Sequence, residues 1–198
     1  MPTDESDERL MQRFRRGDAS AFEVLVRRHR GAVHGFLARC LGDRGRAEDL
    51  AQEVWLRVIA AAPRWEAKAR FRTWLFSVAR NLAVDDSRRR AFRGTPVPLE
   101  AAGAPGEAGP AAEDPPPDAA AEGSLLRPRL QAAIASLPPE QREVFLLREY
   151  ADVPFAEIAS ITGSPEPTVK SRMRYALEQL RRRLEEMGLA PHPAGRPR

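Results

Sequence analysis

Between Pro167 and Leu184 basic, hydroxyl and aromatic side chains recur on one side of an amphipathic repeat. Ser171, Arg174 and Glu178 fall on one face, flanked by Lys170, Arg172 and Tyr175. Val169, Met173, Ala176, Leu177 and Leu180 recur three or four apart on the other, the spacing of a buried helix face. Ammonium and guanidinium groups neutralise phosphates, and an arginine can pair two donors with a guanine edge. That is chemistry for holding a polyanion. Chemistry for breaking bonds is sparse. No glycine-rich phosphate loop or HExxH motif is present, and no Ser, Cys or His stands in a nucleophile motif. Asp85 and Asp86 are adjacent, but neighbours on a helix point about 100° apart and do not share a substrate easily.

The elements that must carry the basic face are a helix, a turn and a second helix over Pro154–Leu184. The first helix would bury Phe155, Ile158, Ala159 and Ile161. Thr162-Gly163-Ser164 would be the turn, with Gly163 left-handed and Ser164 capping the next helix. A helix-turn-helix of this kind places the start of its second helix in the DNA major groove. A plain helical hairpin with a solvated basic face has the same pattern.

Upstream, periodicity predicts helices over about Asp7–Arg16, Ala19–Leu41, Arg46–Ala61 and Phe71–Arg90. In the third, Ala47, Leu50, Ala51, Val54, Trp55, Val58 and Ile59 form the apolar face, and Glu48, Asp49, Gln52, Glu53 and Arg57 the polar one. Pro63 stops it. Trp65 then stands in the otherwise polar loop Arg64–Arg70, free to fold back onto the core or to meet a ligand. The arginines ending the fourth helix also suit its dipole. Farther on, a helix of about 12 residues capped by Ser124 would bury Leu125, Leu126, Leu130, Ala133, Ile134 and Leu137, and another would span Glu140–Tyr150.

The net charge of +4 is unevenly spread. Residues 92–123 hold one Arg and six acids among Ala, Pro and Gly, so the rest of the chain carries +9. Such a connector buries too little apolar surface to offset its ordering entropy. It divides the chain into two small helical domains, 7–91 and 124–187, with a Pro/Gly-rich tail at 188–198. The expected fold class is therefore all-α. Cys40 is the single cysteine, so no disulfide can form within the chain, and with His29, His34 and His192 it makes no metal cluster. No cofactor is expected. With no signal peptide or membrane-length apolar run, a cytoplasmic protein is expected.

Four stretches in order resemble the extracytoplasmic-function sigma factors of bacterial RNA polymerase. AEDLAQEVWLRVI at Ala47–Ile59 and FRTWLFSVARNLAVDDSRRR at Phe71–Arg90 resemble sigma region 2. LPPEQREVFLLREY at Leu137–Tyr150 and PTVKSRMRYALEQLRRRL at Pro167–Leu184 resemble region 4. The resemblance implies binding without catalysis by this chain, with core RNA polymerase and promoter DNA as partners. It also brings in an anti-sigma factor as a further class of partner, to which no residue here speaks. Asp49, Gln52 and Glu53 would dock on the polymerase. Trp65 and Asn81 would read an extruded base of a melted −10 element, with Arg80, Arg88 and Arg89 on phosphates. Thr168, Lys170, Ser171, Arg172, Arg174 and Tyr175 would meet the −35 duplex. Two departures stand out: Pro167 and Asp152 occupy positions where the family usually has glycine. A conventional helix-turn-helix regulator, acting without polymerase, is the alternative.

Overall fold

The computed structural model describes residues 5–92 and 128–189. The expected cap at Ser124, Leu125 and Leu126, the connector beyond Phe92 and the tail beyond Leu189 lie outside the described residues. Within them every regular element is helical.

The first unit contains α1 (Asp7–Arg15), α2 (Ala19–Leu41), α3 (Arg44–Ala61) and α4 (Phe71–Phe92). Local chemistry sets the boundaries. Asp18 caps α2 by accepting from the Ser20 N–H, and Gly42 ends that helix in the left-handed region at φ 68°. Asp43 caps α3 through the Arg46 N–H, so α3 starts at Arg44, two residues before the start that periodicity predicts. Met11, Leu25, Phe36, Leu37, Val54, Val58, Phe71, Leu75 and Phe76 fill the core with no exposed surface. Phe36 and Phe76 meet edge to face at 5.5 Å, a favourable ring geometry.

Two buried polar groups pin this core. His29 is buried and lies 2.6 Å from Asp7 through its Nε2, while Arg28 donates to the same carboxylate at 2.8 Å. Burial raises the pKa of Asp7, but the hydrogen bonds from His29 and Arg28 outweigh it and hold the carboxyl below its ordinary value. Asp86, 2% exposed, takes Arg46 Nε and Nη2 on its Oδ1 at 2.9 and 2.7 Å. That hydrogen bonding raises the Arg46 pKa and ties α3 to α4.

The second unit contains α5 (residues 128–135), α6 (Pro139–Glu149), α7 (Phe155–Thr162) and α8 (Glu166–Glu186). Ile134, Leu146, Leu147, Ile158, Val169 and Ala176 form its core. Gly163 closes α7 at φ 67°, as its place in the turn predicts. Ser164 is not the cap of α8. Pro165 occupies that position, and Glu166 and Pro167 are the first helical residues, where a missing N–H leaves no bond unmade. The Ser164 hydroxyl instead accepts from Arg172 Nη1 at 2.9 Å. Asp152 stands at φ 49°, the left-handed region where glycine is unstrained, which is the physical reason glycine suits that position.

Candidate nucleic-acid interface

On α3, Asp49, Gln52, Leu56 and Ile59 step three or four residues at a time along one exposed face. Ile59 was expected in the core, but at 44% exposure it belongs to this outer stripe, and Leu56 beside it is 61% exposed. Its neighbours Val54 and Val58 already fill the inner face, so Ile59 lies one step too far around the helix. Asp49 is 3.4 Å from Arg46, and Glu53 pairs with Arg57 at 3.1 Å on the edge of the stripe. An acidic margin beside two bare aliphatics suits another amphipathic helix. Leu56 is not singled out by the sequence, because in Val54-Trp55-Leu56-Arg57-Val58-Ile59 nearly every residue is apolar and only the rotation of the packed helix tells which of them face out.

Beyond α3 a short turn, Ala62–Arg64, leads into the loop that bears Trp65. Trp65 folds inward, only 6% exposed, with its ring edge-on to Phe71 and Trp74 at 6.4 and 6.5 Å. Arg15 holds the loop through the Trp65 carbonyl at 3.3 Å. The three rings support a cleft of about 550 Å³ lined by Arg64, Trp65, Glu66, Lys68 and Trp74. Trp65 is thus a wall of the cleft, with little face left for free stacking. Trp74 and Lys68, which sequence reasoning passed over, share that wall. The spacing Trp74–Asn81–Arg88 is seven residues each time, two helical turns, so the exposed Asn81 and Arg88 continue along the side of α4 that leaves the cleft. Arg89 is exposed beside them and donates to the Asp85 carbonyl at 3.3 Å. Arg80 does not join this face. Its Nε reaches Glu143 on α6 at 2.6 Å.

In the second unit the outer face of α8 presents Lys170, Arg174 and Tyr175, all exposed, with Thr168 and Ser171 half-buried beside them. Lys170 pairs along the helix with Glu166 at 2.7 Å. The Arg174 guanidinium lies 5.0 Å from the Tyr175 ring centre, a cation–π contact that leaves its donors outward. Ser171 donates to the Thr168 carbonyl. Arg172 is turned toward the scaffold, holding Ser164 and, at 3.2 Å, Glu140. Leu177, expected inside, is 48% exposed, because Met173, Ala176 and Leu180 complete the inner face without it. Among the described residues no group of His, Cys, Asp and Glu could hold a metal ion, and no helix is long and apolar enough to cross a membrane.

Known proteins share both units. The family model for sigma-70 region 2 matches residues 25–93, and that for sigma-70 region 4 matches residues 127–180. The RNA polymerase sigma factor CarQ of Myxococcus xanthus is 35% identical over 90% of this chain and 98% of its own. The ECF RNA polymerase sigma factor SigL of Mycobacterium tuberculosis is 34% identical over 87% and 93%. Among solved structures, the sigma factor RpoE of Bartonella quintana, in complex with the anti-sigma factor NepR, matches with a TM-score of 0.64 at 22% identity. That match covers 83% of this chain and 96% of RpoE, and it supports the fold.

Proposed function

Since the chain belongs to the extracytoplasmic-function sigma factors of the sigma-70 family, which direct RNA polymerase to promoters and start transcription, we propose that its two units divide promoter reading between them. Residues 7–91 take the polymerase and the melted −10 element, residues 92–123 connect, and residues 124–187 take the −35 duplex. The observation that carries this division is the pair of basic faces, one beside an aromatic-walled cleft on α4 and one on the outside of α8.

A cleft of about 550 Å³ is wide enough for a single unstacked base, which would lie against Trp74 and the edge of Trp65, while Asn81, two turns farther along α4, offers its amide to the strand where it leaves the cleft. Arg88 and Arg89 then meet the backbone phosphates, and so does Arg80 once it leaves Glu143. On α8, Arg174 is the base-reading side chain, Lys170 and Tyr175 hold the backbone, and Thr168 and Ser171 complete the contact near the helix start. Arg172 acts through the turn it braces. On α3 the stripe Asp49–Gln52–Leu56–Ile59, with Glu53 at its margin, receives a helical element of the polymerase. The chain supplies binding and strand separation; bond making belongs to the polymerase, and the place of action is the cytoplasm where the polymerase works. An anti-sigma factor, the partner present in the RpoE structure, is a further partner class for this chain.

The test is reconstitution with bacterial core polymerase and footprinting of open complexes on genomic promoter fragments. Melting near −10 should depend on this chain and be lost in an Asp49→Ala, Gln52→Ala double variant. Tight duplex binding without polymerase, and no melting with it, would make the chain a conventional helix-turn-helix regulator.

A further inference from the structure

Helix α1 precedes the residues that match sigma-70 region 2, and the division of promoter reading gives it no task. It is nevertheless fastened beside the −10 cleft at two points. The Glu8 carboxylate accepts the Phe71 N–H at 2.8 Å, at the start of α4, and Arg15 donates to the Trp65 carbonyl at 3.3 Å. Glu8 and Arg15 are seven residues apart, two helical turns, so one flank of α1 faces the loop, while buried Leu10 and Met11 seat the helix on the core. Gln12 lies between them on that flank. With Arg15 and Arg16 it lines a second cavity, of about 460 Å³, and Arg15 joins the two, lining this cavity while it holds the wall of the first. We propose that this second cavity is a phosphate-binding subsite for the melted DNA strand, taking the backbone on the side of the extruded base that α4 does not reach. The inference rests on the proposed function, which puts that base in the Trp65–Trp74 cleft.

Charge is sorted along α1 in a way that suits this role. Its two acids are engaged, Asp7 with His29 and Arg28, and Glu8 with the Phe71 N–H. Arg13, on the opposite flank, is met by Glu5 and Asp18, each at 2.6 Å. Arg9, Gln12 and Arg16 stand exposed on the outer face, and among the described residues no carboxylate pairs with either arginine. An ordinary solvated face pairs its charges along the helix, as Arg181 and Arg183 of α8 do with Glu185 and Glu186. Here the unpaired arginines gather beside the cleft instead. The one acid of the loop, Glu66, is already paired with Lys68 at 2.9 Å, and Arg64 and Arg70 add exposed positive charge on the same loop.

Position along α4 gives the strand its path. Asn81 and Arg88 lie about 10 and 21 Å beyond Trp74 along the helix axis, toward its C-terminal end. Trp74, the cleft and α1 lie together at the N-terminal end. A strand that comes from the Arg88 side and delivers one base into the cleft must carry its backbone onward past Arg15. An extruded nucleotide turns about its backbone, so a phosphate held on one side only leaves it free to swing back. Holding the phosphates on both sides fixes it. Arg16 offers a phosphate two parallel donors, Gln12 adds an amide N–H, and Arg15 keeps donors beyond the one given to Trp65. These groups read charge, and none reads a base edge.

The test uses holoenzyme made with the full-length chain and fluorescent single strands spanning the −10 element of a promoter found by footprinting. Methylphosphonate linkages neutralise one phosphate at a time. Arg16→Ala and the double variant Gln12→Ala, Arg16→Ala are compared with wild type, and Arg15 is left intact because it also holds the loop. Both variants should keep the wild-type melting curve, since neither side chain has a partner among the described residues to lose. The double variant should bind the strand about tenfold more weakly. Its salt slope should fall by about 0.7 for the one phosphate released. Preference among bases at the extruded position should not change. Neutral linkages on the α1 side of that base should abolish the difference between wild type and Arg16→Ala. Linkages on the other side should do so for Arg88→Ala.

Arg16→Ala binding like wild type, or a loss that no neutral linkage removes, would overturn the subsite while leaving promoter melting intact. A loss removed only by linkages on the Arg88 side would overturn it equally. If no form of the holoenzyme melts a promoter, the proposed function fails and the subsite falls with it.

Discussion

Removing Arg46 should damage the first unit far more than its half-exposed position implies. Arg46 is 37% exposed in its side chain, while its partner Asp86 is 3% exposed. Arg46→Ala strands a buried carboxylate whose Oδ2 already lacks a partner. Breaking a fully buried ion pair from one side costs about 3–5 kcal/mol, and the partial exposure of Arg46 places this case near the lower end, about 3 kcal/mol. Asp86→Ala acts differently. It removes the buried charge and leaves Arg46 free to meet water and Asp49, so its cost is the lost hydrogen bonds, about 1–2 kcal/mol. The double variant should be more stable than Arg46→Ala alone, because no charge is stranded. In a unit of this size each kcal/mol shifts Tm by about 4–8 °C, so Arg46→Ala should lower the melting temperature of the first unit by about 12–24 °C. Thermal and urea unfolding followed by circular dichroism, run as a double-mutant cycle, reads all three. Equal costs for the two single variants, with simple additivity in the double, would refute the claim that Asp86 is a dry carboxylate held by one partner.

Leu56→Ser and Ile59→Ser should leave the melting curve within about 0.5 kcal/mol yet weaken core-polymerase affinity about tenfold or more, measured by fluorescence anisotropy. Arg174→Ala should cost about 1–3 kcal/mol on one −35 sequence and relax discrimination at one base pair, whereas Lys170→Ala should weaken all sequences alike and reduce the salt slope by about 1 in holoenzyme titrations. Asp152→Gly should stabilise the second unit by about 0.5–1 kcal/mol, since it relieves a φ of 49° on a non-glycine residue, and urea unfolding checks this. Hydrogen bonds from Ser20 and then Arg13 hold the Asp18 carboxyl down at about 2. Its contribution is therefore complete above the ordinary carboxylate pKa of about 3.9 and is lost as pH falls toward 2. Asp18→Asn, which keeps a capping side chain but not the charge, should flatten the acid-unfolding profile in that window, with a modest loss of stability at pH 7 that vanishes as pH falls toward 2.

The helices were legible because their signals are local. Periodic apolar residues gave α2 from Ala19 to Leu41 without error, and glycine placed the turn at Gly163. The misplaced apolar residues are of one kind. Ile59 and Leu177 are apolar residues at the edge of a helix stripe, where a rotation of a few tens of degrees decides burial, and only the partner helix sets that rotation. Ser164 was misread because a cap is defined by where the backbone turns helical, and two prolines after it delayed that point to Glu166. Asp86 was invisible for the same reason as Leu56. Nothing in an Asp-Asp pair tells which member faces a core arginine forty residues away.

The arginines show where sequence reasoning about function stops. Arg80, Arg88, Arg89, Arg172 and Arg174 all stand on helices of the stretches that resemble sigma regions 2 and 4, and residue type alone assigns them all to phosphate or base. The fold sorts them by partner. Arg88 and Arg174 face outward, Arg172 braces the turn through Ser164 and Glu140, and Arg80 is held by a carboxylate of the other unit. A guanidinium with a carboxylate at 2.6 Å gains from DNA only the difference between two anions. Its effect on promoter binding therefore depends on how far the units have already parted. Arg80→Ala should then act in opposite directions, loosening the closed body and weakening the −10 contact. Its net effect on open-complex formation should be smaller than that of Arg88→Ala, which loses a contact and releases nothing. A larger loss for Arg80→Ala than for Arg88→Ala would mean that Arg80 has already left Glu143 when the chain meets DNA.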